Sequence, residues 1–203
     1  MKQRLVVPLM VAVLAIGAAA CGGNPEPEGP TPEELARQDS IEAARRAQAR
    51  ADSIEAARRA EEERLARERA EAIRAETAAA RAILEEMIHF DYDRSAIRTD
   101  AENALMRKVA VLRANPNVRV RIAGHADERG SIEYNRALGQ RRAEAAKDFM
   151  VGFGIADSRI ETVSFGEDRP LVNASNENAW AQNRRDEFTI VAGGNEMRNP
   201  SAQ

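Results

Sequence analysis

The chain is poor in the residues that build most catalytic and metal centres. It has one cysteine in 203 residues, so no intramolecular disulfide can form and no Cys-based metal site can be assembled. Its two histidines, His89 and His125, do not share the i,i+4 spacing of a helical ligand pair, and neither a metal nor a cofactor is expected. Aromatic residues make up 4% and charged residues 31%, a balance that leaves much of the length outside any packed core. The net charge of −3 lacks the basic footprint of a nucleic-acid partner. Gly-x-Ser-x-Gly, His-Glu-x-x-His and a catalytic cysteine are all missing, which argues against an enzyme.

The long apolar run that does exist is at the N-terminus. Lys2 and Arg4 precede an apolar stretch, residues 5–16, and Gly17-Ala18-Ala19-Ala20 supply the small residues of a cleavage site. Residues 1–20 therefore read as an export signal, too short to span a bilayer. Cys21 follows at the position of the lipid-modified cysteine in bacterial lipoproteins, which this leader resembles. Ala18 stands where leucine is commoner, leaving open ordinary cleavage after Ala20 with a free thiol. Acylation would supply several chains and so a stable anchor. Gly22 after the cysteine implies, by the same resemblance, sorting to the outer membrane, facing the periplasm. Residues 21–32 are Gly, Pro and Glu with almost nothing apolar, a flexible tether.

Residues 33–86 change to Ala, Arg and Glu, strong helix formers. The run Asp-Ser-Ile-Glu-Ala-Ala-Arg-Arg-Ala occurs at Asp39 and again intact at Asp52. Glu precedes Arg by four at Glu33–Arg37, Glu42–Arg46, Glu55–Arg59 and Glu63–Arg67, the favourable orientation. Leu35, Ile41, Ile54, Leu65, Ile73 and Ile83 keep no heptad, so no coiled-coil seam is sustained. A solvated single-helix spacer, which would span about 80 Å, stands against a charge-rich disordered linker.

Residues 87–192 read as one globular domain. Ile88, Phe90 and Tyr92 alternate with polar residues as a half-buried strand. Thr99-x-x-Glu102 has the form of a capping box before the stripe Ala101, Leu105, Val109, Leu112, and Asn115-Pro116 stops that helix. Val118, Val120 and Ile122 mark a second strand. Ser131 caps a helix whose expected buried stripe is Tyr134, Leu138, Ala145, Phe149 and Phe153, closed by Gly152 and Gly154. A third strand at residues 160–165, a short helix at 175–183 and a last strand through Phe188, Ile190 and Val191 complete the domain. The order β-α-β-α-β-(α)-β predicts an α+β two-layer sandwich, helices over one mixed sheet. Residues 193–203 are polar and expected to fray.

Between the second strand and its helix lies Gly124-His125-Ala126-Asp127-Glu128-Arg129-Gly130, followed by Glu133-Tyr134-Asn135 and Ala137-Leu138-Gly139-x-Arg141-Arg142-Ala143. Loops at strand ends are where binding residues gather. Asn135 and Arg142 are seven apart, two turns along one helix face. Asp127 can face both, either as an internal salt bridge to Arg142 or as half of a ligand site. This run resembles the peptidoglycan-binding signature of the OmpA-like C-terminal domain family, and within it the peptidoglycan-associated lipoproteins of the Tol–Pal system. The resemblance implies an outer-membrane lipoprotein whose domain grips the diaminopimelate-containing stem peptide, with periplasmic Tol proteins as partners. It assigns Asp127 to the ligand's ammonium and Arg142 to its carboxylate, with Asn135, Phe90, Asp91 and Tyr92 shaping the pocket. Arg141 reads as a solvated or bridging neighbour. Asn183-Arg184-Arg185 resembles a second family element, by direct contact or by support. A protein-binding adaptor and a cell-wall-acting enzyme are the alternative classes. Trp180 is expected to anchor the short helix.

Overall fold

In the computed structural model, residues 29–200 are described; the export signal, Cys21 and most of the Gly/Pro tether lie outside them. The chain divides into two units, Met1–Arg58 and Arg59–Gln203, with the division inside the first helix, α1 (Pro32–Glu85). Within the first unit, α1 starts at a capping box absent from the sequence reading: Glu34 N–H donates to Thr31 Oγ1 at 3.3 Å, and Thr31 N–H to Glu34 Oε2 at 2.9 Å. Pro32 takes the first helical position, where its missing N–H costs nothing. The Glu42–Arg46 pair forms at 2.5 Å. Such exposed pairs contribute a few tenths of a kcal/mol each. Of the two readings of residues 33–86, the structure takes the helical one.

In the second unit the order is β1 (Ile88–His89), α2 (Thr99–Ala114), β2 (Arg119–His125), α3 (Ile132–Gly152), a 3-10 turn (Asp157–Arg159), β3 (Ile160–Gly166), α4 (Glu177–Asn183) and β4 (Arg185–Ala192). The strands form one mixed sheet in the order β1-β4-β2-β3, with β2 parallel to β3 and antiparallel to β4. The α+β two-layer expectation holds. Val120, Ile122 and Phe188 of the sheet pack with Leu105, Val109 and Leu112 of α2 and Ala143, Ala146 and Met150 of α3. Register places Gly124 opposite Asp186 and Ile122 opposite Phe188, so these side chains share the sheet face under the helices.

Several expectations are corrected. β1 ends at His89, because Phe90 N–H turns to Arg184 O at 2.9 Å and the chain bends through Asp93 at φ 52°. Thr99 is already helical: Arg98 is the N-cap and no side chain caps α2, so the expected capping box does not form. Ser131 does cap α3, accepting from Tyr134 N–H at 3.2 Å. The buried face of α3 is rotated from the expected stripe, taking in Asn135, Leu138, Gly139, Arg142, Ala143, Ala146 and Met150, while Tyr134 and Phe153 are exposed. β4 begins three residues before Phe188.

The last turns of α1 belong to the domain core, through Ala80 and Leu84. Residues 193–200, expected to fray, run back against this helix. Met197 is buried, its N–H donates to Thr77 Oγ1 at 3.0 Å, and Asn199 N–H donates to Glu76 Oε1 at 2.9 Å. The orphan carbonyls at the end of α1 are met by Lys108, fully buried, whose Nζ donates to Ile83 O at 2.7 Å, Leu84 O at 2.8 Å and Glu86 O at 2.5 Å. No helix of the described residues is long and apolar enough to cross a membrane.

Candidate functional site

The site is placed by a backbone contact. A Cβ on Gly124 would lie 1.9 Å from Gly139 O, and one on Gly139 would lie 2.8 Å from Gly124 O. Only two glycines let α3 lie this close to β2. The approach lays Asn135, one turn before Gly139, and Arg142, one turn after it, beside the end of the strand where Asp127 leaves the sheet.

A cleft of about 110 Å³ opens there, lined by Tyr92, Asp93, Asp127, Arg129, Asn135 and Arg142 among others. Four expected site residues, Tyr92, Asp127, Asn135 and Arg142, therefore share one lining. Asn135 is buried and works as a brace, its Nδ2 donating to Asp127 O at 3.1 Å and Arg129 O at 3.3 Å and also bonding Glu167 Oε2. Arg142 is fully buried. Its Nε donates to Arg94 O at 2.8 Å, Nη1 to His125 O at 2.7 Å and Nη2 to Asp91 O at 3.1 Å. The guanidinium lies 5.1 Å from the Phe90 ring, and burial pulls its pKa down to about 10 against the fields of Asp186 and Asp127.

The internal Asp127–Arg142 bridge, one of the two sequence readings, is not the pairing found. Oδ1 of Asp127 accepts Arg129 N–H and Arg129 Nε, each at 3.1 Å. Oδ2 accepts Arg129 Nη2 at 2.7 Å and Arg184 Nη1 at 3.3 Å. Burial pushes the carboxyl up, but these bonds outweigh it and hold Asp127 below the usual carboxylate range.

The other expected residues separate. Asp91 reaches the site through its carbonyl, while its side chain pairs outward with Arg98 at 3.2 Å. Arg141 is exposed, 5.6 Å from the Tyr134 ring. Arg184 supports the site, bonding Phe90 O at 3.1 Å, Asp127, and Glu177 Oε1 at 2.8 Å. Asn183 holds the chain at Leu171 and Val172 instead, and Arg185 pairs with Glu187 at 2.5 Å. Trp180 is more than an anchor for α4: it lies 4.2 Å from the Arg129 guanidinium and its Nε1 donates to Glu128 Oε1 at 3.0 Å.

Two residues were missed. Arg129 is the main partner of Asp127; its two-residue spacing in Asp-Glu-Arg-Gly could have suggested it. Asp186 is fully buried in the field of Arg142, with neither carboxylate oxygen hydrogen-bonded among the described residues. Burial pushes its pKa well above the carboxylate range, with Arg142 drawing it back in part. Only the register opposite Gly124 reveals its position, and periodicity within one strand carries no such signal.

Residues 89–184 match the OmpA family. A peptidoglycan-associated lipoprotein of Mesorhizobium japonicum is 46% identical over 107 residues, 53% of this chain and 64% of the relative. One of Pseudomonas putida is 45% identical over 114 residues, covering 56% of this chain and 67% of the relative. The crystal structure of the peptidoglycan-associated lipoprotein from Burkholderia pseudomallei superposes with a TM-score of 0.50 at 36% identity, covering 51% of this chain and 88% of that one. The match thus spans under two thirds of the Mesorhizobium relative's own length.

Proposed function

The chain belongs to the OmpA family, and from that membership we propose that its domain is a non-enzymatic module that grips peptidoglycan through the free end of a diaminopimelate residue in the stem peptide. One observation carries the reading: a single small cleft presents a carboxylate at Asp127 and a buried guanidinium at Arg142. A guanidinium has five N–H donors. Arg142 gives three to backbone carbonyls, leaving one on each terminal nitrogen. Those two form the planar fork that suits a carboxylate. Because the carbonyls of Arg94, His125 and Asp91 fix the side chain, little conformational freedom is lost when a ligand arrives. The ligand's ammonium goes to Asp127, and Asn135 keeps the loop in register with α3.

The wider role follows the same line. Cys21 carries lipid in the outer membrane, residues 21–32 are the tether, and α1 is a spacer, so that the chain links membrane to wall. Partnership with periplasmic Tol proteins, and with it support of envelope integrity and division, rests on the sequence resemblance. The test is co-sedimentation of the full chain with purified sacculi. Binding that leaves the wall intact and is displaced by diaminopimelate is expected. Release of soluble wall fragments, or no co-sedimentation at all, refutes the reading. Mass spectrometry of an unmodified Cys21 would refute the anchor.

A further inference from the structure

The Asp127 carboxylate is already full. Two carboxylate oxygens offer about four acceptor positions, and Arg129 and Arg184 supply four donors to them. An ammonium cannot reach this anion without removing one of the two guanidinium groups. Arg184 is the fixed one, buried and tied also to Phe90 O and Glu177. Arg129 is the movable one, with 28% of its side chain exposed. Its guanidinium lies 3.9 Å from the Tyr92 ring and 4.2 Å from the Trp180 ring. A second carboxylate, Glu177 Oε2, lies 3.6 Å from its Nη1 and is largely exposed. The Arg129 backbone stays pinned by Asp127 and Asn135, so displacement needs only side-chain rotation.

Taking the cleft to be the diaminopimelate site, we infer that Arg129 is an internal occupant of its cation half, and that this makes it the residue that sets the affinity threshold of the site. A ligand bearing only an ammonium must break the Arg129–Asp127 fork, exchanging one cation for another, and gains nothing at Arg142. A ligand with an ammonium beside a carboxylate gains the Arg142 fork in the same step. The displaced Arg129 keeps Glu177 and the two rings as partners. Every ligand thus meets the same displacement cost, and a simple amine, with no gain at Arg142, is left with the weaker net affinity.

Arg129→Met tests this, because the thioether chain fills the slot between the rings without a charge; Arg129→Gln is the second uncharged variant. Isothermal titrations of the full chain would use meso-diaminopimelate and cadaverine, which has the same diamine spacing and no carboxylate. The parent should prefer diaminopimelate by about thirty-fold or more. In both variants both ligands should gain about tenfold, with the preference for diaminopimelate unchanged, because the displacement cost is common to the two. Trp180, the one tryptophan of the chain, reports the movement: its emission should change when diaminopimelate binds the parent, and change far less in Arg129→Met. Parental affinities for both ligands in folded variants, or weaker diaminopimelate binding in them, overturn this inference and leave the site reading standing. Absence of diaminopimelate binding by the parent overturns both.

Discussion

Substituting Gly124 with alanine tests whether the strand–helix contact positions the site. The new Cβ would stand 1.9 Å from Gly139 O and 2.6 Å from Gly139 C, both backbone atoms, so no rotamer change relieves it. Ordinary contact needs roughly 1.5 Å more, and α3 must move by a comparable distance. Overpacking of this kind costs about 1–3 kcal/mol, offset by about 0.4–1 kcal/mol from the stiffer unfolded chain. A net loss of about 2 kcal/mol leaves a domain of ordinary stability folded. The same movement carries Arg142 away from carbonyls now held at 2.7–3.1 Å, so binding should fall about tenfold or more even where the protein is fully folded. Gly139→Ala is milder, since alanine favours a helix by about 1 kcal/mol and its tightest backbone contact, Gly124 O at 2.8 Å, is less severe. Urea melts paired with sacculus co-sedimentation at 20 °C (about 293 K) read both effects. A Gly124→Ala variant that melts within about 0.5 kcal/mol of the parent and keeps parental binding refutes the argument.

Three further outcomes follow from the same contacts. Arg142→Lys should lose sacculus binding about thirty-fold or more, because a point ammonium cannot make the two-point contact; Arg142→Ala should in addition cost about 3 kcal/mol, and a parental urea midpoint would show the carbonyl bonds to be idle. Lys108→Met should cost about 3 kcal/mol by orphaning the carbonyls at the end of α1, with hydrogen exchange of residues 76–85 rising; unchanged protection there sinks the idea. His125 is pulled down to about 4 by burial and by the Arg185 guanidinium, against Glu187. The unfolded chain therefore binds the extra proton first, so this stability is whole above about pH 6.5 and is lost as pH falls through about 4, worth roughly 2–3 kcal/mol; His125→Phe should flatten the loss, and an equal acid slope in both proteins would refute it.

Much of the fold was legible because its elements obey simple periods. Val118, just before β2, alternates with Val120 and Ile122 on it, and Ala101, Leu105, Val109 and Leu112 keep a helical stripe; all are buried. α3 was misread for a physical reason. Its buried face includes Asn135 and Arg142, which a hydropathy pattern assigns to solvent, so the expected stripe drifted to Tyr134 and Phe153. Lys108 hides in α2 in the same way. Asp127, Asn135 and Arg142, singled out through the motif, share one cleft. Their partners were not found, since carbonyl acceptors such as Arg94 O and His125 O carry no sequence identity. Residues 193–200 looked unfit to pack, yet one buried methionine, three backbone N–H groups and the carbonyls of Gly194 and Arg198 dock them.

The docking of α1 has a mechanical consequence. Along the helix, Glu76 is tied to Asn199, Thr77 to Met197, Arg81 to Gly194, and the terminal carbonyls to Lys108. These ties are spread over about three turns. Tension applied along the helix axis loads them together, in shear, whereas a sideways pull would open them one after another, as a zipper. Under load the relevant property is the rate of rupture rather than equilibrium stability. Residues 193–200, none of which lines the cleft, would then govern how long the joint survives a pull along α1.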